Sequence, residues 1–180
     1  MTALRTLPLD GTDVARPTLT LRDVVFTHGK YVWRLLRYLG VADRDLDDVC
    51  QDVFTTAHEK LDHVQDEGLR PWLHTMCVLH AKNYRRRARH HRETLMEDVA
   101  DLSESVPPLQ EEDLEVARKQ KLLLALLDQL DEDRRTIFVL HAIEEVPMDQ
   151  VAKIVGCPLS TAYFRFKRAC TELEKGMAPA

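Results

Sequence analysis

The chemistry that this sequence could support is mostly binding. Among its eight histidines, His74 lies one helical turn before Cys77 and His90 is followed by His91, yet no further ligands follow at a zinc-type spacing. The sequence contains no glycine-rich phosphate loop, nucleophile elbow or H-E-x-x-H motif. We therefore predict that the chain is not an enzyme, and we expect no metal or other cofactor.

Charge is concentrated in two adjacent blocks of opposite sign, although the formal net charge is only -5. From Arg70 to Arg92 there are seven bases and no acid, whereas from Glu93 to Glu115 there are nine acids and no base. Cations this dense can neutralise several phosphates. Asn83 and Tyr84 lie among them, a mixture that suits unpaired bases. The block indicates a nucleic-acid surface, with a solvated helix end as the alternative.

A second charged surface is acidic and falls on one predicted helix: Asp45, Asp47, Asp48, Gln51 and Asp52. Phosphate would be repelled by these carboxylates, so this surface cannot be a DNA site. The residues by themselves favour an ordinary solvated helix face.

The strongest motif is a helix-turn-helix near the carboxyl end. A short apolar-striped segment follows Pro147, Gly156-Cys157-Pro158 interrupts it, and Leu159 opens a longer amphipathic segment. In such motifs the second helix enters the major groove and presents its early residues to base edges. The candidate DNA contacts are Ser160, Thr161, Tyr163, Phe164, Arg165, Lys167 and Arg168. A plain helical hairpin is the alternative.

The elements that must position these residues are helices. Aromatic residues make up only 6% of the chain and it has 6 glycines, which argues against an all-β protein. Helical periodicity predicts helices from Leu21 to a stop at Gly40, from Asp45 to Leu61, and from Pro71 onward. We predict an all-α fold of two small helical domains joined by an acidic linker, the second containing the helix-turn-helix. The predicted segments are a tail at 1–20, a domain at 21–92, the linker at 93–113, a domain at 114–177, and a tail at 178–180.

The sequence also carries expectations about its compartment. No run approaches the length of a membrane-spanning helix, and the first twenty residues lack the apolar core of a secretory signal. We expect a cytoplasmic protein without membrane insertion. The four cysteines are widely spaced, so we interpret them as small buried apolar residues in a reducing compartment.

Three stretches of the chain resemble a known family. They are DLDDVCQDVFTTAHEKL at 45–61, RPWLHTMCVLHAKNYRRRARHH at 70–91, and LDQLDEDRRTIFVLHAIEEVPMDQVAKIVGCPLSTAYFRFKRACTELEK at 127–175. In this order and spacing the sequence resembles bacterial RNA polymerase sigma factors of the extracytoplasmic-function (ECF) type. The resemblance extends from about Leu21 to Gly176.

The resemblance implies a sigma factor that binds core RNA polymerase and directs promoter-specific transcription initiation. It implies that the acidic helix docks on a coiled coil of the largest catalytic subunit and the second domain on the flap of the other large subunit. The acidic linker would pass through the polymerase channel. It also implies promoter DNA and an anti-sigma factor as partners. Domain 21–92 would correspond to sigma region 2 and domain 114–177 to region 4.

The same resemblance extends the list of candidate DNA contacts. A loop before Arg70 would capture a base flipped from the non-template strand, at some energetic cost to the DNA. The candidates for the −10 element are Gln65, Asp66, Glu67, Arg70, Lys82, Asn83, Tyr84, Arg86 and Arg87. The helix that begins at Leu159 would read the −35 element.

The sequence departs from the family pattern in the second domain. Leu130-Asp131 stands where Leu-Pro is usual, and Ala162-Tyr163-Phe164-Arg165 stands where Val-Arg-Ser-Arg is frequent. Losing an arginine at position 163 removes a strong guanine or phosphate donor. We therefore expect a non-standard upstream element.

Two other functions are open at this point. A stand-alone helix-turn-helix regulator, dimeric on a palindrome, would need no polymerase, but it does not explain the acidic helix. A sigma-like decoy that sequesters an anti-sigma factor would never reach DNA, but the basic block disfavours it. A metal enzyme is a distant third.

Overall fold

The computed structural model describes residues 20–60, 68–94 and 111–177, and every regular element in these ranges is helical. The helices are α1 (Leu21–Tyr38), α2 (Leu46–Lys60), α3 (Leu69–Thr94), α4 (Glu111–Leu127), α5 (Glu132–Phe138), α6 (Met148–Val155) and α7 (Leu159–Met177). A 3-10 turn at Asp43–Asp45 precedes α2, and a π-helical turn at Val139–Ile143 follows α5. We call α1–α3 the first lobe and α4–α7 the second lobe. The predicted all-α class is confirmed.

Both ends of α1 are fixed by local interactions. The hydroxyl of Thr20 accepts a hydrogen bond from the backbone N–H of Asp23 at 3.3 Å, and the Asp23 carboxylate accepts one from the backbone N–H of Thr20 at 3.2 Å. This reciprocal pair satisfies N–H groups that the first helical turn leaves free. At the other end Gly40 has a φ of +93°, the left-handed conformation that ends many helices. The predicted stop at Gly40 is confirmed.

Helix α3 differs slightly from its predicted extent. It begins at Leu69 rather than at Pro71, so the proline lies within the first turn, where its missing N–H breaks no intrahelical bond. The helix then continues to Thr94, beyond the boundary expected after Arg92.

The predicted linker is only partly within the described ranges. Helix α4 begins at Glu111, ahead of the start expected near Leu114. The remainder of the predicted linker, 95–110, lies outside the described residues, as do 1–19 and 178–180 of the predicted tails.

The core of the first lobe is aliphatic. Its three helices, together with the residue that follows α1, bury leucines and valines that are fully inaccessible: Val24, Val32, Leu35, Leu36, Leu39, Leu46, Val53 and Leu73. On α1 the Val25 side chain is 42% exposed, and its neighbour Val24 takes the buried position. Three leucines that lie on helices, Leu79, Leu122 and Leu159, are also exposed. Leu79 lines a cleft between α3 and α6, so its surroundings are set by the contact between the two lobes.

The second lobe is built from caps and turns that its sequence encodes. The carboxylate of Asp131 accepts a hydrogen bond from the backbone N–H of Arg134 at 2.9 Å and so caps α5. This explains how the chain begins α5 without the proline that is usual at that position. Helix α6 ends at Gly156, which has a φ of +75°, and α7 follows after Pro158. The predicted helix-turn-helix is therefore present.

The two lobes lie against each other. Helix α3 contacts α6, and buried residues of both lobes belong to one apolar cluster. The contact also includes a buried cationic residue, Arg135, which is only 7% exposed. The two lobes thus share a packed interface that contains charged groups.

Three further observations apply to the described ranges. None of their helices has both the length and the apolar character that crossing a membrane requires. They hold no group of three His, Cys, Asp or Glu side chains placed to bind a metal ion. The four cysteines are free thiols; Cys77 is buried, and this burial raises the pKa of its thiol well above the ordinary value.

Candidate nucleic-acid interface

The acidic surface predicted on α2 is exposed to solvent. Its members there are Asp47, Asp48, Gln51 and Asp52, all of them exposed. They alternate with Leu46, Val49 and Val53, which are buried against the rest of the first lobe. The first-turn acids also lie at the positive end of the helix dipole, which stabilises them. The helix therefore presents a continuous acidic face without depending on it for its own packing.

Asp45 differs from the other acids of this set. It lies in the 3-10 turn before α2 and is only partly exposed. Its carboxylate accepts a hydrogen bond from the Tyr84 hydroxyl at 2.7 Å and pairs with Arg44 at 3.4 Å. Burial and this neighbouring carboxylate raise the pKa of Tyr84. Asp45 thus holds a residue of α3, a role that the sequence pattern did not indicate.

The basic end of α3 forms an open cationic surface. Lys82, Arg86, Arg87 and Arg89 are exposed, whereas Asn83, Tyr84 and Arg85 are half-buried. Arg87 approaches Asp52 of α2 at 3.8 Å, and both side chains are more than half exposed. An exposed pair at this distance is weak, so Arg87 is available to an incoming phosphate.

Helices α2 and α3 are also joined by polar contacts in their middle. The Thr56 hydroxyl and His80 Nε2 lie 3.1 Å apart. Burial lowers the pKa of His80, which favours the neutral form of the ring at this contact. With the Asp45–Tyr84 hydrogen bond, the acidic and cationic surfaces are fixed in one relative orientation.

The remaining candidates for the −10 element are divided between described and undescribed residues. Gln65, Asp66 and Glu67 lie outside the described ranges. Arg70 stands at the start of α3 with its guanidinium 5.0 Å from the centre of the Tyr31 ring. It also pairs with Glu144 of the second lobe at 3.5 Å. The structure therefore separates Arg70 from the cationic end of the same helix.

The helix-turn-helix displays α7 to solvent. Gly156 N–H donates to Ala152 O at 2.9 Å and Cys157 N–H donates to the same oxygen at 3.0 Å, which closes the end of α6. Ala162 and Ala169 of α7 are fully buried, and such small residues allow close packing. This geometry fixes which face of α7 points outward.

The predicted recognition residues lie on that outward face. Ser160, Tyr163, Phe164, Lys167 and Arg168 are exposed, and Thr161 and Arg165 are partly exposed. Tyr163 and Phe164 are more than half exposed, so their rings can reach thymine methyl groups. The Arg168 guanidinium lies 5.6 Å from the centre of the Phe164 ring. Arg165 pairs with Asp133 at 2.9 Å and is the least free of the cations on this face.

His74 and Cys77, which lie one helical turn apart on α3, are both buried. His74, considered as a metal ligand, is 4% exposed, and burial lowers its pKa. Among the described residues its ring nitrogens find no hydrogen-bond partner, and its ring meets the Tyr31 ring edge-on at 5.9 Å. Cys77, one turn later, is part of the apolar core.

The sequence reasoning missed the charged residues at the contact between the lobes. Glu144, Glu132 and Arg135 were not singled out, although each forms ion pairs or hydrogen bonds across that contact. The Glu144–Arg34 pair joins residues separated by 110 positions. Local spacing contains no signal for such a pair.

Comparison with known families matches both lobes. The model described as Sigma-70 region 2 matches residues 25–91, and the model described as Sigma-70, region 4 matches residues 120–173. These matches contain the acidic face of α2, the cationic end of α3 and the helix-turn-helix.

Known proteins of similar sequence are also described as RNA polymerase sigma factors. The ECF RNA polymerase sigma-E factor of Haemophilus influenzae is 26% identical over 155 residues, which cover 81% of this chain and 80% of that protein. The RNA polymerase sigma factor NccH of Alcaligenes xylosoxydans xylosoxydans is 29% identical over 157 residues, covering 83% and 82%.

Solved structures share the fold. CnrH, in complex with the cytosolic domain of CnrY, has a TM-score of 0.59 and 24% identity, covering 86% of this chain and 85% of CnrH. The sigma factor RpoE of Bartonella quintana, in complex with the anti-sigma factor NepR, has a TM-score of 0.62 and 21% identity, covering 86% and 94%. Both sigma regions occur here in the family order, with an acidic helix and a basic helix in the first and an exposed recognition helix in the second. The chain therefore belongs to the ECF type of RNA polymerase sigma factors.

Proposed function

We propose that this sigma factor uses different surfaces of its two domains to bind core RNA polymerase and to direct promoter-specific transcription initiation. In this proposal the first domain, 21–92, binds polymerase and the −10 element, and the second, 114–177, binds the −35 element. The observation that carries it is the presence, on one chain, of an exposed acidic helix face beside a cationic helix end and a displayed recognition helix.

The acidic face is assigned to polymerase because DNA would be repelled by it. Asp47, Asp48, Gln51 and Asp52 are free to make that contact, since their side chains do not pack in the core. Asp45 supports the contact indirectly by fixing the start of α2 to Tyr84. No covalent step is part of the proposal.

The cationic end of α3 is assigned to the −10 element. Lys82, Arg86 and Arg87 would bind phosphates, and Asn83 would contact an unpaired base. The half-buried Tyr84, held through its hydroxyl, would present a fixed ring edge at this surface. Unstacking a base costs about a few kcal/mol, which such contacts must offset.

The partner proteins follow from the same assignment. The solved relatives were captured with CnrY and with the anti-sigma factor NepR, and we infer that this chain likewise binds an anti-sigma factor. Since polymerase acts in the bacterial cytoplasm, we infer that this chain acts there too.

The decisive experiment is run-off transcription with purified core polymerase and genomic DNA. Transcripts that form only when this protein is added are the expected result. Binding to duplex DNA without polymerase, and no transcripts, would support a stand-alone regulator. Neither transcripts nor DNA binding, with tight capture of an anti-sigma factor, would support a decoy. Either of these outcomes would overturn the proposal.

A further inference from the structure

A buried carboxylate lies at the contact between the lobes. The Glu144 side chain is 1% exposed, and its two oxygens face Arg34 of α1 at 3.4 Å and Arg70 of α3 at 3.5 Å. A carboxylate removed from water is stable only when it is paired. Both of these cations belong to the first lobe, whereas Glu144 belongs to the second.

The turn that carries Glu144 is fixed by its own hydrogen bonds. Glu144 N–H donates to Val139 O at 3.0 Å, and His141 Nδ1 lies 2.9 Å from Val146 O. The next residue, Glu145, has a φ of 55°, a left-handed conformation that is unfavourable for a residue with a side chain. The second lobe therefore directs the Glu144 carboxylate toward the first lobe from a turn that includes a left-handed residue, Glu145.

A second acid acts on the DNA-binding helix itself. Glu132, at the start of α5, pairs with Arg89 at 2.8 Å and with Arg85 at 3.4 Å. Both arginines belong to the basic block of α3. A phosphate and the Glu132 carboxylate compete for the same guanidinium groups, so both cannot bind them fully at once.

A cation of the second lobe completes the contact. Arg135 donates to Tyr38 O at 2.6 Å and to Arg37 O at 3.4 Å, at the carboxyl end of α1. These carbonyl groups carry the negative end of the helix dipole and favour a cation. Each lobe thus offers the other groups of opposite charge: acids of the second lobe face arginines of the first, and Arg135 of the second lobe faces carbonyl oxygens of the first. The partner that covers each of these surfaces is the other lobe of the same chain.

We propose that Glu144 and Glu132 form an intramolecular latch that holds the lobes closed and withholds Arg85 and Arg89 from DNA until the lobes separate. This inference rests on the proposed function, in which the basic end of α3 belongs to the promoter surface. The closed form is held by this chain's own residues and needs no partner protein. The Arg89–Glu132 pair is partly exposed to water and therefore individually weak, so an equilibrium between closed and open forms is accessible.

The test is a charge reversal with a rescue. Glu144→Arg places like charge against Arg34 and Arg70 and is expected to open the lobes, seen as a larger radius of gyration in small-angle X-ray scattering. Adding Arg34→Glu and Arg70→Glu to that variant restores opposite charges and is expected to reclose it. Asp149→Arg, at an exposed acid on α6 of the same lobe, is the matched control for net charge.

The second readout is the affinity of the free protein for a mixed-sequence single-stranded oligonucleotide. We expect Glu144→Arg to bind about threefold to tenfold more tightly than Asp149→Arg, because apparent affinity scales with the fraction of the open form. Equal radius and equal affinity in these two variants would overturn the latch. A larger radius without tighter binding would overturn the claim that closure withholds the arginines.

Two checks separate the latch from other failures. Circular dichroism establishes that each variant is folded; if Glu144→Arg is not, Arg34→Glu with Arg70→Glu tests the same contact from the exposed side. Run-off transcription with the unaltered protein tests the proposed function. Its failure would overturn that function, while the scattering comparison would still decide whether the lobes are latched.

Discussion

The cationic end of α3 makes a quantitative prediction about salt. Arg86 and Arg87 are exposed, and within residues 20–60, 68–94 and 111–177 the only ion pair that either forms is the weak Arg87–Asp52 contact at 3.8 Å. If each binds one phosphate, replacing it by alanine removes one counterion-release contribution. The slope of log affinity against log salt then becomes shallower by about 0.7 for a single-strand contact and about 0.9 for a duplex contact.

This slope converts into a measurable ratio. Between about 50 mM and about 200 mM salt, each contact accounts for a loss in affinity of about 2.6-fold to 3.5-fold, and two contacts for about 7-fold to 12-fold. The double variant Arg86→Ala, Arg87→Ala should therefore bind promoter DNA more weakly at low salt but lose less affinity as salt rises. The helical core is not involved, so the folded state should be unaffected.

The assay is a fluorescence titration of promoter DNA with the sigma–polymerase complex at several salt concentrations. Lys119→Ala is the matched control, since Lys119 is an exposed base on α4 that pairs with Glu115 at 2.8 Å and lies outside the proposed surfaces. A slope in the double variant equal to that of the unaltered protein, or to that of Lys119→Ala, would refute the assignment of phosphate contacts to these arginines.

Three further predictions concern the other surfaces and the core. Asp48→Arg should lose co-purification with core polymerase while remaining folded, whereas Glu174→Arg, a like change on α7, should retain it; normal retention by Asp48→Arg would contradict the polymerase assignment. Burial lowers the pKa of His74, so the folded state prefers the neutral ring and stability should fall as the pH drops below the ordinary histidine value of about 6.5. In urea unfolding, the free energy of unfolding of His74→Gln should fall less between about pH 7 and about pH 5 than that of the unaltered protein. An equal fall in both proteins would mean that His74 does not contribute. Tyr163→Ala should weaken discrimination among upstream elements by about 1–3 kcal/mol, measured by competition binding; an unchanged preference would exclude base reading by this ring.

Local sequence signals predicted the helices and the exposed surfaces well. Gly40 and Gly156 end helices for the conformational reason expected of them, and the outward face of α7 follows from its apolar spacing. These features depend on neighbours within a few residues, which periodicity and capping rules describe.

Features that depend on distant residues were not predicted. Leu79 is exposed because it lines the cleft between the lobes, and Asp45 is half-buried because Tyr84 lies against it. Glu144 finds its counter-charges 74 and 110 positions away. Sequence spacing within one helix carries no information about such pairs, so only the folded structure places them.

The polar contacts between α2 and α3 have a mechanical consequence. The Asp45–Tyr84 and Thr56–His80 contacts join the two helices at separate points, and apolar packing joins them between. Two helices tied in this way turn as a single rigid lever, so any tilt imposed on one is transmitted to the other. If polymerase binds the acidic helix as proposed, the angle at which it holds α2 would set the angle at which the arginine-rich end of α3 meets promoter DNA.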